Sequence, residues 1–116
     1  MSSVPPERGA VIKGPDVLGP HDHRPYVRLS DATHPFSDEE ALYSATTTTP
    51  RSIAIPLADT DFERGGLPRE SYVNPWTITV LRHVDVVEQH GVLTDEAIRS
   101  ITTEAAGYLG VTHVRD

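Results

Sequence analysis

Helical periodicity survives in one stretch of this 116-residue chain, close to its end. "LTDEAIRSITTEAAGYLG" puts Ala97, Ile98, Ile101, Ala105 and Leu109 on one face at helical spacing. Thr94 is placed to cap the N-terminus, and Asp95 and Glu96 fall in the first turn, where the helix dipole favours carboxylates. Gly110 marks the stop. The spacing predicts a helix of about four turns. What comes before has to fold without a second helix of that kind.

The upstream sequence reads as short strands. They are expected over 8–14 (RGAVIKG), 24–31 (RPYVRLSD), 41–49 (ALYSATTTT), 51–57 (RSIAIPL), 71–73 (SYV) and 76–87 (WTITVLRHVDVV). In 51–57 the residues Ile53, Ile55 and Leu57 alternate onto one face. Loops are expected at 15–23, which holds two prolines and a glycine, and at the acidic 58–70. "ATHPFSDEEA" carries a capping-box pattern with room for a single helical turn. Residues 1–7 are Ser/Pro-rich and expected to be flexible, which leaves 8–116 as one domain. Strands first and a helix last predict an α+β fold: a small antiparallel barrel or curled sheet with the helix on one side.

Composition narrows the chemistry. The chain contains no cysteine, which removes disulfides, zinc fingers and thiol catalysis. Neither an apolar run of membrane-spanning length nor an apolar leader core is present, so a cytoplasmic location is expected. Seventeen acidic residues against ten basic ones give a net charge of −7, and Lys13 is the only lysine. An acidic, lysine-poor, threonine-rich surface is what a protein soluble in concentrated salt would show. The same balance speaks against a nonspecific nucleic-acid binder, which needs a basic domain. A polyanion site would have to be a local arginine cluster.

The familiar catalytic signatures are missing. There is no Gly-x-Ser-x-Gly elbow and no phosphate-binding glycine loop after a strand. His21 and His23 flank Asp22 in one loop, but nothing nearby supplies the second half of a metal site, so no metal or cofactor is expected. What remains is the threonine run 46–49 and the arginines. In a strand Thr46 and Thr48 point one way, Thr47 and Thr49 the other. An arginine fork holds a phosphate through paired charge-assisted hydrogen bonds, and a threonine hydroxyl can donate to a phosphate oxygen or orient a ribose. Such a pair suits phosphodiester cleavage in which RNA supplies its own 2′-hydroxyl as nucleophile.

The order of the motifs adds a family. "RGAVIK", "HRPYVRLSD", "ALYSATTTT", "SIAIPL", "GLPRESYVNP" and "GVLTDEAIRSITTEAAGYLGV" follow one another as similar segments do in the MazF/PemK toxin–antitoxin ribonucleases, which this chain resembles over about residues 8 to 111. The resemblance implies a small Src-homology-3-like β-barrel with a C-terminal helix, usually a homodimer. It implies metal-independent cleavage of single-stranded RNA to a 2′,3′-cyclic phosphate and a 5′-hydroxyl, and neutralisation by a cognate antitoxin peptide. The family's catalytic arginine precedes a proline and falls on Arg24; its threonine falls on Thr47, with Thr46 as the neighbouring option. Further RNA-contacting candidates are His21, His23, Arg28, Arg51, Arg82 and Trp76. The chain departs from the family pattern in three places. Ala10 stands where Asp is usual, the loop before Arg24 is shorter, and Thr79 occupies the place of an arginine that Arg82 would have to replace. Two other readings follow: a catalytically inactive barrel that binds nucleic acid or protein, and a gyrase-poisoning toxin, for which "GVTHVRD" at the chain's end offers few apolar or aromatic residues.

Overall fold

The computed structural model describes residues 5–111. Seven strands form one antiparallel sheet, followed by a single long helix. The strands are β1 (Ala10–Pro15), β2 (His23–Arg28), β3 (Glu40–Thr47), β4 (Ile55–Leu57), β5 (Phe62–Gly65), β6 (Ser71–Arg82) and β7 (Glu88–Leu93); the helix α1 is Asp95–Tyr108. Their order across the sheet is β4-β6-β3-β2-β1-β7-β5. This is the curled antiparallel sheet with a C-terminal helix that strands-then-helix predicts.

The helix is closed at both ends as its sequence dictates. Thr94 Oγ1 accepts from the Ala97 amide at 3.2 Å. At the other end Gly110 takes φ +91, the left-handed conformation glycine adopts without a Cβ penalty. The Val111 and Gly110 amides then donate back to the Ala106 and Gly107 carbonyls at 3.1 and 3.0 Å. Ile98, Ile101 and Ala105 are the buried stripe.

The sheet is covered on both faces. Val11, Val27, Leu29, Val73 and Leu93 pack with the helix stripe on one face. Ala10, Ile12, Tyr26, Ala41, Tyr43, Ala45 and Leu81 fill the other, with Tyr26 and Tyr43 edge to face at 6.3 Å. The start of strand β1, residues 10–12, therefore reads as continuously apolar, because alternate residues enter different clusters.

Several sequence expectations change. Residues 71–73 and 76–87 are not two strands: β6 runs unbroken from Ser71 to Arg82. Between the pairs Ser44↔Ile78 and Thr46↔Val73, residues 74–77 face Ala45 alone, so the strand bulges there. Thr77 Oγ1 holds the bulge by accepting from the Ala45 amide and donating to the Asn74 carbonyl, and Pro75 sits where no ladder donor is needed. The strand ends at Arg82 in a short 3-10 turn over His83–Asp85, and the next residues return as β7 against β1. The strand expected over 51–57 shrinks to Ile55–Leu57, and Ile53 is 58% exposed in the preceding turn. The loop expected at 58–70 contains β5, whose charged sequence hides it because only its β7 edge is paired. The single helical turn expected at 32–41 forms hydrogen-bonded turns instead, ending as Glu40 enters β3. Of the stretch 1–7, residues 1–4 lie outside the described residues; Pro6 is buried, and its carbonyl accepts from Arg28 Nη1.

Candidate functional site

The strand register bears on how Arg24 and Thr47 are related. β2 and β3 pair antiparallel with Tyr26 opposite Ala45 and Val27 opposite Ser44. Extending that register by two residues sets Arg24 opposite Thr47. The Thr46 hydroxyl, donating to the Pro25 carbonyl at 3.0 Å, shows the strands still in register there. Opposed residues in an antiparallel pair project to one face with Cβ atoms about 5 Å apart. Arg24 and Thr47 thus share the face of Tyr26 and Tyr43, at one end of the sheet.

The two threonines differ. Thr46 is buried on the helix-side face, with its hydroxyl donating within the scaffold. Thr47 is half-buried on the Arg24 face, and its Oγ1 accepts only from the Thr49 amide, at 3.0 Å. The Thr47 O–H is left to donate elsewhere.

The β1–β2 loop governs Arg24. Asp16 Oδ1 accepts from the Leu18 and Gly19 amides at 3.1 and 2.9 Å, and Oδ2 from the His21 amide at 3.1 Å. Burial pushes the Asp16 carboxyl up, but these amides and the Arg24 guanidinium outweigh it and hold it below the ordinary carboxylate value. Its side chain is fully covered and lies 3.0 Å from Arg24 Nε, while the Arg24 side chain keeps 22% of its surface exposed. The contact is an ion pair without a hydrogen bond. Among the described residues no hydrogen bond occupies the Arg24 Nη groups. The loop also folds closely over the guanidinium: a methyl added at Gly19 would lie 3.3 Å from Arg24 Nη2. Tyr26 completes the hairpin by donating to the Pro15 carbonyl at 2.7 Å.

The other candidates disperse. His21 and His23 are exposed on the loop or at its exit, beside Arg24. Arg28 does not reach this end: it is buried, donating from Nε to the Ser30 carbonyl at 2.8 Å and from Nη1 to Pro6. Arg82 is exposed at the far end of β6, across from Glu40, and Arg51 is exposed in the turn before β4. Trp76 packs edge to face on Tyr108 at 5.9 Å. Thr79 lies opposite Tyr43 in mid-strand.

Two residues that the sequence reading does not single out lie against the candidates: Asp16 beside Arg24 and Tyr72 opposite Thr47. Asp16 carries a faint signal, an aspartate opening a Gly/Pro loop, where its side chain can accept local amides. Tyr72, which pairs with Thr47, carries none. A hollow of about 370 Å³ between Leu57, Phe62, Leu67, Arg69 and Ser71 opens away from Arg24 and Thr47, since Leu57, Phe62 and Leu67 pack on the helix-side core. Among the described residues no three His, Cys, Asp or Glu side chains form a metal-binding group. No helix among them is long and apolar enough to cross a membrane.

No family model and no curated protein sequence matches this chain. Solved structures do. A mycobacterial endoribonuclease in complex with its cognate antitoxin is 24% identical with a TM-score of 0.73, over 91% of this chain and 96% of that one. A second mycobacterial endoribonuclease is 22% identical with a TM-score of 0.73, over 98% of each chain. MazF from Deinococcus radiodurans is 13% identical with a TM-score of 0.69, over 93% of this chain and 99% of that one. At these identities the likeness is one of architecture, and the fold of this chain is that of the MazF endoribonuclease toxins.

Proposed function

We propose that this protein is a sequence-selective, metal-independent endoribonuclease toxin of the cytoplasm. In this reading it acts as a homodimer on single-stranded mRNA and is neutralised by a cognate antitoxin peptide. The observation that carries the reading is the β2–β3 register, which extended by two residues sets Arg24 across from Thr47, with neither the Arg24 Nη groups nor the Thr47 O–H donating a hydrogen bond among the described residues. The structural neighbours, one of them solved with its antitoxin, support the same reading.

The chemistry follows from those donors. The ribose 2′-oxygen attacks phosphorus as the bond from phosphorus to the 5′-oxygen breaks. The products are a 2′,3′-cyclic phosphate and a 5′-hydroxyl. Charge accumulates on the equatorial oxygens, where the Arg24 Nη groups donate. The Thr47 hydroxyl orients the phosphate or the ribose. One proton leaves the 2′-hydroxyl and one reaches the 5′-oxygen; His21 and His23, exposed and close to Arg24 in the chain, are the imidazoles this reading offers for those transfers. Arg24 has to turn its Nη groups outward while Asp16 holds the Nε side.

A second reading, an inactive barrel that binds nucleic acid or protein, draws on the Asp16–Arg24 ion pair, which neutralises the arginine in place. Purified protein incubated with single-stranded RNA in EDTA separates the two. Cleavage to cyclic-phosphate ends, abolished by Arg24→Ala in a protein that still folds, is expected. Binding without cleavage selects the second reading. No cleavage at any salt concentration, together with no growth defect on expression, ends the ribonuclease proposal.

A further inference from the structure

The register that aligns Arg24 with Thr47 continues across the sheet. Thr47 pairs with Tyr72 on β6, and Tyr72 with Pro56 on β4. Directly opposed residues share a face, so Tyr72 stands beside Thr47 and two strands from Arg24. At about 4.8 Å per strand, that is about 10 Å. A phosphate held by Arg24 would leave the base of an adjoining nucleotide within reach of the Tyr72 ring.

The ring is presented for such use. Tyr72 is half-buried, and its hydroxyl donates to Glu70 Oε1 at 2.8 Å, which fixes the ring at its tip. Among the described residues the aromatic contacts are Tyr26 with Tyr43 and Trp76 with Tyr108, so Tyr72 has no aromatic partner. Trp76, the aromatic candidate from the sequence, already packs on the helix.

We propose that Tyr72 is a stacking platform for an RNA base next to the scissile phosphate, held by Glu70. This rests on the ribonuclease reading above. Stacking on an aromatic ring tolerates any base, so Tyr72 would supply affinity and register, and sequence choice would lie elsewhere. As a positioning residue it should act on substrate binding more than on the chemical step.

The test compares the wild type, Tyr72→Ala and Tyr72→Phe. The RNA carries a mapped cleavage site, and its 2′-deoxy analogue serves for binding. Matched oligonucleotides lack the base on either side of the scissile phosphate. Tyr72→Ala is expected to raise KM and the analogue's Kd about tenfold or more, with kcat changed little. Tyr72→Phe, which keeps the ring, should stay within about threefold. Removing the stacked base should weaken the wild type and leave Tyr72→Ala nearly unaffected, a coupling that a merely structural role would not produce. If the wild type cleaves and Tyr72→Ala matches it on every oligonucleotide, the stacking inference fails and the ribonuclease reading stands. If the wild type cleaves nothing, that reading fails. Binding of a randomised 2′-deoxy oligonucleotide pool, with and without abasic positions, then decides the platform by itself, and binding that ignores base and ring alike overturns it.

Discussion

Replacing Thr46 and Thr47 by valine, one at a time, should give opposite outcomes. Valine keeps the β-branched shape and removes only the hydroxyl. Thr46 is buried and donates to the Pro25 carbonyl at 3.0 Å. Losing that bond costs about 1 kcal/mol, and up to about 2 if the carbonyl is left unpaired. For a domain of this size that lowers Tm by about 4–8 °C. Thr46→Val should therefore melt earlier yet cleave RNA within a fewfold of the wild type. Thr47→Val loses only an exposed acceptor for the Thr49 amide, so its Tm should change by about 2 °C or less. Its cleavage rate should fall by about a hundredfold to a thousandfold, the usual effect of removing one preorganised donor. Thermal unfolding by circular dichroism and single-turnover cleavage of one RNA measure both quantities. The reasoning is refuted if Thr46→Val abolishes cleavage at unchanged Tm, or if Thr47→Val cleaves like the wild type.

Three further outcomes are expected. Burial pushes the Tyr43 hydroxyl up to about 12, with Arg28 pulling the other way; stability from this group is complete below pH 10 and is lost as the pH rises from 10 through about 12. Its hydroxyl is buried without a hydrogen-bond partner among the described residues, so Tyr43→Phe should remove that alkaline loss and raise stability at pH 7 by about 1 kcal/mol, read by urea titration. Asp16 sits below its ordinary 3.8, so its stabilising contribution is complete above that value and fades as the pH falls further; Asp16→Asn should flatten this acid limb in a pH series of melts. The net charge of −7 with a single lysine predicts that stability rises with salt, and an unfolding midpoint unchanged between low and molar salt would refute that expectation.

Parts of the site were legible in the sequence and parts were not. Arg24 and the threonine run stood out through residue type and motif order, because Arg-Pro and a strand-ending threonine are local patterns. Choosing between Thr46 and Thr47 needed the pleat, since successive residues face opposite sides and only the neighbouring strands identify the sides. Arg28 reads from the sequence as a further RNA contact, but its strand enters the core at Tyr26 and carries Arg28 inside, where it ties down Pro6. Strand β5 is hard to read because an edge strand tolerates charged and glycine-rich sequence, and β7, paired on both sides, because its first half, Glu88–His90, is polar. Gly65, at φ +73 and hard against the backbone of His90, marks where those two strands approach too closely for a side chain.

Alone, the sequence determined the C-terminal helix and both its caps, and the order of strands before helix. Period and capping act within a turn or two of chain, so neighbouring residues suffice to set them. Only the tertiary structure decided that Thr47 pairs with Tyr72, that Asp16 lies against Arg24, and that Trp76 packs on Tyr108 of the helix. Those outcomes depend on register between strands distant in the chain, and register is chosen by burying both faces of the whole sheet at once.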